Sequence, residues 1–169
     1  LGNCVYINRV FPSARLVGYH NTTVIGGNLL RVIHDSGIPI VNAYKTYFYD
    51  QSKFVQWSLL KQEKFLMPDV FCLIDRSREV GEWCRQYPII LKPDQGGRSV
   101  GTFIIENKEE LLSTLNEIEM VPYIVQEYIK PETGCTLRVE IIGDEVIVVC
   151  RGDIGKGSVW SLHRGWHYY

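Results

Sequence analysis

The segment "ILKPDQGGRSVGTFII" constrains this chain most, because two short apolar runs are joined by a loop that carries three glycines and comes after a lysine. Residues 89–92 read as one strand and 102–105 as the next, leaving Gly96, Gly97 and Gly101 in the connection. Backbone without side chains can approach an anion closely. Ser99 and Arg98 add donors, and Lys92 places a positive charge at the end of the entering strand.

The residues just after the glycines exclude two common phosphate-binding loops. A Walker-type loop needs Lys after its last glycine and then a helix, so that helix-start amides face the phosphates; here Gly101 leads into Thr102 and a strand. A dinucleotide fingerprint fails too, because G-x-G-x-x-G is absent and the next element is extended. A glycine-rich hairpin over a bound anion remains, and on these residues alone a solvated surface hairpin with an exposed lysine remains beside it.

Any phosphate held here is small and local. The formal net charge is -1 over 169 residues, so the chain has no global basic field for nucleic acid. A hydrophobic content of 46% with 22% charged residues fits a globular protein with one core or two small ones. Cys4, Cys72, Cys84, Cys135 and Cys150 are scattered without metal-site spacing and read as reduced, structural thiols. No charged-then-apolar leader and no long apolar run is visible, which argues for a cytoplasmic setting and no membrane partner. The chain begins at Leu1 without an initiator Met and reads as a piece of something longer.

Around the loop, helices and strands alternate. Residues 4–7 suggest a strand. Apolar positions from Val24 to Ile33 recur at helical spacing, with Asn21 or Thr22 as cap and Gly37 as stop, and "IPIVNAY" reads as a strand. "KFVQWSLLKQ" is a helix capped by Asp50 or Ser52, and "SREVGEWCRQ" is another, weakened by Gly81. Asn107 with Glu110 three residues on resembles a capping box ahead of "KEELLSTLNEI". "YIVQEYI" is a strand. The fold class is therefore α/β (α+β), with residues 1–45 forming the end of one α/β domain and 46–169 a second domain. Within the latter, 67–123 has its own strand, loop, strand, helix order and reads as a small subdomain ahead of 124–169.

Two further segments bear on chemistry. After Gln126 and Glu127 the chain leaves its strand through "YIKPETG". If the glycine hairpin covers a nucleotide, this linker can edge the base while Glu127 reaches the ribose; a plain polar strand end is the other reading. "TLRVEIIGDEVIVVCR" reads as a hairpin turning at Gly143-Asp144. A simple two-residue turn sets Arg138 opposite Val149 and Thr136 opposite Arg151, so that Thr136, Arg138, Glu140 and Arg151 share one face. Two arginines there call for anions, which Glu140 alone does not supply; a wet sheet edge would serve otherwise.

Taken together, these segments resemble the ATP-grasp fold, in particular the branch of ribosomal-protein glutamate (RimK-like) ligases. "YPIILKPDQGGRSVGTFII" resembles that family's lysine strand and phosphate-covering loop, "IVQEYI" its adenine-edge segment, and "GCTLRVEIIGDEVI" its G-x-D-x-R-V hairpin. "DQSKFVQWSLLKQ" is similar to its first helix, "NRVFPS" to its lead-in, and "LHRG" at 162–165 to a segment near its substrate side. The resemblance covers nearly the whole chain, in the family's order, and implies a partial ATP-grasp fold behind the tail of a pre-ATP-grasp domain.

Carried over by position, the resemblance makes Lys53 and Lys92 contacts for nucleotide phosphates or base, and residues 96–101 the cover over the phosphates. Gln126, Glu127, Tyr128 and Ile129 hold the adenine and ribose, and Arg138 and Arg151 face the transferred phosphate. It implies ATP and magnesium as cofactors and an ADP-forming ligase that joins a carboxylate to an amine, with a peptide or protein among the candidate substrates. Two departures stand out. Thr136 replaces the hairpin's Asp, and the family's acidic and asparagine magnesium ligands lie beyond "LHRG", so no metal residue is assigned; His163 and His167 are poor magnesium ligands. A non-catalytic nucleotide-binding module, or a structural protein on the same fold, is the competing expectation.

Overall fold

The computed structural model describes residues 4–10, 18, 20–74, 86–97, 99–118, 122–132 and 134–153. The expected helix at 77–86 falls outside them except for Gln86, as do Arg98 and the "LHRG" segment.

The first unit is a strand, helix, strand crossover. β1 (Tyr6–Ile7) and β2 (Ile40–Val41) pair in parallel, joined by α1 (His20–Asp35). The helix begins ahead of Asn21 and Thr22, which lie in its first turn and not at its cap. It stops as expected: the Gly37 amide donates to the His34 carbonyl oxygen, with Gly37 at φ 71. β2 is only two residues long. The expected strand at 38–44 is cut short where the chain turns at Asn42 into α2 (Tyr44–Tyr49), a short helix that the sequence reading did not include. Leu30 of α1 and Tyr47 of α2 are buried, and the Tyr47 hydroxyl donates to the Thr23 carbonyl oxygen at 2.9 Å. At the strand ends, Asn8 and Asn42 donate side-chain amides to each other's backbone carbonyls at 3.1 and 3.0 Å.

α3 (Lys53–Gln62) has the bounds its sequence implies. Ser52 is its cap, extended in backbone and accepting from the Val55 amide at 3.1 Å. Beyond it lies a four-stranded antiparallel sheet in the order β3-β6-β4-β5, with β3 at Val70–Ile74, β4 at Ile89–Pro93, β5 at Phe103–Ile105 and β6 at Tyr123–Glu127. β3 has no counterpart among the expected strands. β6 pairs with both β3 and β4, so the sheet runs on to Glu127, a few residues past the division expected at 123.

One face of this sheet is the core. Ile89, Leu91, Ile105, Tyr123 and Val125 pack with Leu111 and Leu115, neighbours one turn apart on α4 (Lys108–Glu117). Full burial of each aliphatic side chain contributes about 1.5–3 kcal/mol, so these residues hold the sheet to the helix. Half of the expected capping box forms: Asn107 caps the helix by accepting from the Glu110 amide at 2.9 Å, but the Glu110 carboxylate accepts from the Glu106 amide at 2.8 Å, one residue ahead of the cap.

The last hairpin, β7 (Cys135–Ile142) and β8 (Glu145–Asp153), turns at Gly143-Asp144 as expected, but its register does not run straight through. Ile141 pairs with Val146 and Glu140 with Val148, which leaves Ile147 as an extra, bulged residue. The slip of one residue sets Arg138 opposite Cys150 and Arg151 opposite Leu137. Arg151 therefore lies on the other face from Thr136, Arg138 and Glu140, which corrects the expectation of a shared face.

Candidate functional site

β4 ends where the glycine loop begins, and α3 is docked against that exit by its own first residues. The Lys53 amide donates to the Asp94 carbonyl oxygen at 3.0 Å. The Asp94 carboxylate oxygen Oδ1 accepts from the Phe54 amide at 2.8 Å and from the Ser52 hydroxyl at 3.0 Å. Asp94 thus acts as a second cap, supplied from 40 residues away, on amides that a helix start leaves unpaired.

Two lysines stand at the foot of the loop, and they differ in what they touch. Lys53 Nζ donates to three backbone carbonyls, those of Pro93 at 2.7 Å, Asp94 at 3.2 Å and Gly96 at 2.9 Å. An ammonium has three protons, so its donors are fully used. Burial and the positive Lys92 lower the Lys53 pKa to about 8, against the raising effect of Asp94 and Asp50. Lys92 is half-buried, and burial lowers its pKa as well. Among the described residues its ammonium has no hydrogen-bond or ion-pair partner. A partly desolvated cation without a counterion is costly, and an anion placed beside it removes that cost.

The loop above is shaped by backbone that only some residues tolerate. Gly96, Ser99 and Gly101 have positive φ, at 123, 56 and 66, whereas Gly97 does not. At Gly101 a Cβ would lie 3.0 Å from Pro93 Cγ and 3.3 Å from the Tyr123 hydroxyl, so glycine is required on two counts. A Cβ at Gly97 would meet open space. The loop closes on itself through Val100 donating to Gly97 and Thr102 to Ser99, both at 3.3 Å.

The strand beside β4 sorts the adenine-edge candidates. Lys92 pairs with Ile124 and Ile90 with Gln126, so Gln126 shares the Lys92 face of the sheet. Glu127 pairs with Ile89 and falls on the core face, and its Oε2 accepts from the Asp69 amide at 3.1 Å. Tyr128 and Ile129 come directly after the strand, with Ile129 exposed. In the separate hairpin, Arg138 pairs with Glu140 at 2.8 Å, and the Thr136 hydroxyl is buried without a hydrogen-bond partner among the described residues. Lys53, Lys92, Gly96, Gly97, Ser99 and Gly101 thus converge at one place, while Arg138 and Arg151 occupy opposite faces of another element. Sequence reasoning missed Ser52 and Asp94 as partners at this site; the only signal was the cap position of Ser52. Among the described residues, no three His, Cys, Asp or Glu come together as a metal site, so magnesium ligands are not assigned to them.

The model of the RimK-like ATP-grasp domain matches residues 50–165. Human N-acetylaspartylglutamate synthase A is 28% identical over 150 residues, covering 81% of this chain and 37% of that protein. A ribosomal protein bS6–L-glutamate ligase from Escherichia coli is 33% identical over 81 residues, covering 46% of this chain and 27% of the ligase. The chain thus spans about a third of the length of the curated relatives it matches. Among solved structures, the D-alanine–D-alanine ligase from Bacillus anthracis complexed with ATP superposes with a TM-score of 0.61 at 17% identity, covering 85% of this chain and 48% of that one. The VanG D-Ala:D-Ser ligase from Enterococcus faecalis gives 0.56 at 22% identity, covering 85% of this chain and 45% of that one. The fold is therefore that of the ATP-grasp ligases, and the chain belongs to the RimK-like ATP-grasp domain family.

Proposed function

We propose that the cleft beneath the glycine loop binds ATP, and that the protein containing this chain is an ADP-forming ligase joining a carboxylate to an amine through an acyl-phosphate. The observation that carries the reading is Lys92: a half-buried ammonium without a partner among the described residues, set under a glycine loop whose backbone can close on an anion. A triphosphate supplies the missing counter-charge. Gln126, on the same sheet face, and the backbone of Tyr128 and Ile129 edge the base. Glu127 reaches the ribose only by leaving its bond to Asp69.

Phosphoryl transfer to a carboxylate asks a protein mainly for positioning and charge stabilisation. Lys92 and the loop amides supply these at the phosphates. Arg138 faces the acyl-phosphate, and Arg151, on the reverse of the hairpin, is not given the same role. Magnesium, when bound, would screen the phosphate charge. The acceptor carboxylate is either free or carried on a peptide, a choice that the glutamate-ligase relatives motivate.

The test is turnover by the full-length protein. ADP and phosphate should appear only when ATP, a carboxylate and an amine are all present. AMP and pyrophosphate as products would show an adenylating ligase and defeat the acyl-phosphate reading.

A further inference from the structure

The short helix α2 spans the division of the chain read at 45–46 from the sequence, and only Asp50, Gln51 and Ser52 separate it from α3. The amide of each of these residues is bonded back into α2: Asp50 to the Thr46 carbonyl at 3.0 Å, Gln51 to that of Phe48 at 3.2 Å and Ser52 to that of Tyr49 at 3.4 Å. From the other side, Gln56, one turn into α3, donates its side-chain amide to the same Tyr49 carbonyl at 3.1 Å and lies 3.5 Å from Asp50 Oδ1. A carbonyl that the end of α2 leaves without an intrahelical donor is thereby tied to α3. We propose that the α2–α3 connection is a rigid elbow with Gln56 as its clasp, so that α1, α2 and α3 move as one body and the crossover unit keeps a fixed angle to the helix that opens the ATP-grasp domain. The inference does not rest on what the cleft binds.

The grip of α2 on α1 completes the elbow. Tyr47 is buried, its hydroxyl donates to the Thr23 carbonyl oxygen at 2.9 Å, and a Cβ added at Gly27 would lie 3.3 Å from its Cε1. Glycine inside a helix carries an entropic cost, and here it admits the Tyr47 ring close against α1. α2 is six residues long, so these two attachments, to α1 through Tyr47 and to α3 through Tyr49, lie within one turn of each other. Swinging α1 against α3 would break one of them. A hinge needs residues free to absorb a change in backbone angles, and residues 50–52 have every amide engaged.

Amide hydrogen exchange and a distance measurement on the full-length protein test this. In the wild type the Gln51 and Ser52 amides should be protected, and Gln56→Leu, which fills similar space without a donor, should speed their exchange roughly two- to tenfold, the range for one lost neutral bond. Gln56→Lys, which reaches as far and still donates, should keep most of the protection. The Leu91 and Val125 amides in the sheet core should respond to neither change. Spin labels carried on non-natural residues at Asn28 of α1 and Gln62 of α3, both exposed, should give one narrow distance distribution in the empty protein, unchanged by saturating ATP. Gln56→Leu combined with Tyr47→Phe should broaden it. Should that pair fail to fold, Gln56→Ala alone is read the same way.

Rapid exchange at Gln51 and Ser52 in the wild type, or a broad or ATP-dependent distance between the labels, would make the connection a hinge and overturn the elbow. Equal protection in wild type and Gln56→Leu would remove Gln56 as its clasp. Wild-type protein that binds no ATP defeats the proposed function, while protected amides and a narrow distance in the empty protein would still establish the elbow.

Discussion

The Asp94 carboxylate lies 2.8 Å from the Phe54 amide, joining the exit of a sheet strand to the start of a helix that precedes it by 40 residues. Because Ser52 donates to the same oxygen, one side chain satisfies two groups at the helix start. Asp94→Ala should cost about 1–2 kcal/mol, as loss of a helix cap does, and Asp94→Asn less, since its amide oxygen still accepts. Denaturant unfolding is the check: the midpoint should fall with an unchanged slope. An unaltered midpoint in the Ala variant would show that the junction does not depend on Asp94.

Lys92 should behave in the opposite sense. Its burial lowers its pKa and it lacks a partner among the described residues, so Lys92→Met relieves a cost in the empty protein. Stability should hold or rise. ATP affinity should drop by roughly 1–3 kcal/mol, the range for a charge-assisted contact, which calorimetry reads directly. Equal affinity in a folded variant would remove Lys92 from the site.

The lowered pKa of Lys53 also sets a pH dependence with a definite sign. In the folded protein Lys53 releases its proton near pH 8, whereas the unfolded chain holds it to about 10.5. Across that window the unfolded state binds more protons, so stability contributed by this group rises with pH and is flat below it. The neutral amine still offers two N–H groups to the three carbonyls, so the contact weakens without vanishing. Comparing unfolding of wild type and Lys53→Met at pH 7 and pH 10 isolates the group: the difference should shift in favour of wild type at the higher pH. No shift would mean that Lys53 keeps an ordinary pKa.

Local pattern made much of this fold legible. The bounds of α3 and the Asn107 cap of α4 come from cap residues and apolar spacing a few positions apart, and the structure repeats them. The turn at Gly143-Asp144 is read from two residues in the same way. Register beyond the turn is not carried by local pattern. Ile147 bulges out of β8, nothing in "EVIVV" marks which residue will do so, and the slip moves Arg151 to the other face. β3 is an apolar run of five without alternation, so period-two reasoning passes over it. At the site, Lys92 is visible in the sequence because it abuts the glycines. The ties from Ser52 and Lys53 to the loop root span 40 to 43 residues and arise only once α3 packs there.

The glycines of the loop divide in a way that the sequence alone does not reveal, and the division is testable. Gly101 has φ 66, and any Cβ added to it would lie 3.0 Å from Pro93 Cγ and 3.3 Å from the Tyr123 hydroxyl. A β-branched side chain there meets both the left-handed backbone and buried Tyr123, so Gly101→Val should destabilise the empty protein by about 1–3 kcal/mol. At Gly97 neither obstacle exists: its φ is not positive and a Cβ meets nothing within 4 Å. Gly97→Val should therefore leave the melting temperature of the empty protein nearly unchanged. Its cost should emerge only with ligand, when loop amides approach phosphate oxygens and a branched side chain holds them off. Thermal unfolding and ATP titration of the two variants separate these effects. Gly101→Val should lose stability first, and Gly97→Val should lose affinity with stability intact. A Gly97→Val protein that binds ATP as wild type does would place this part of the loop away from the phosphates.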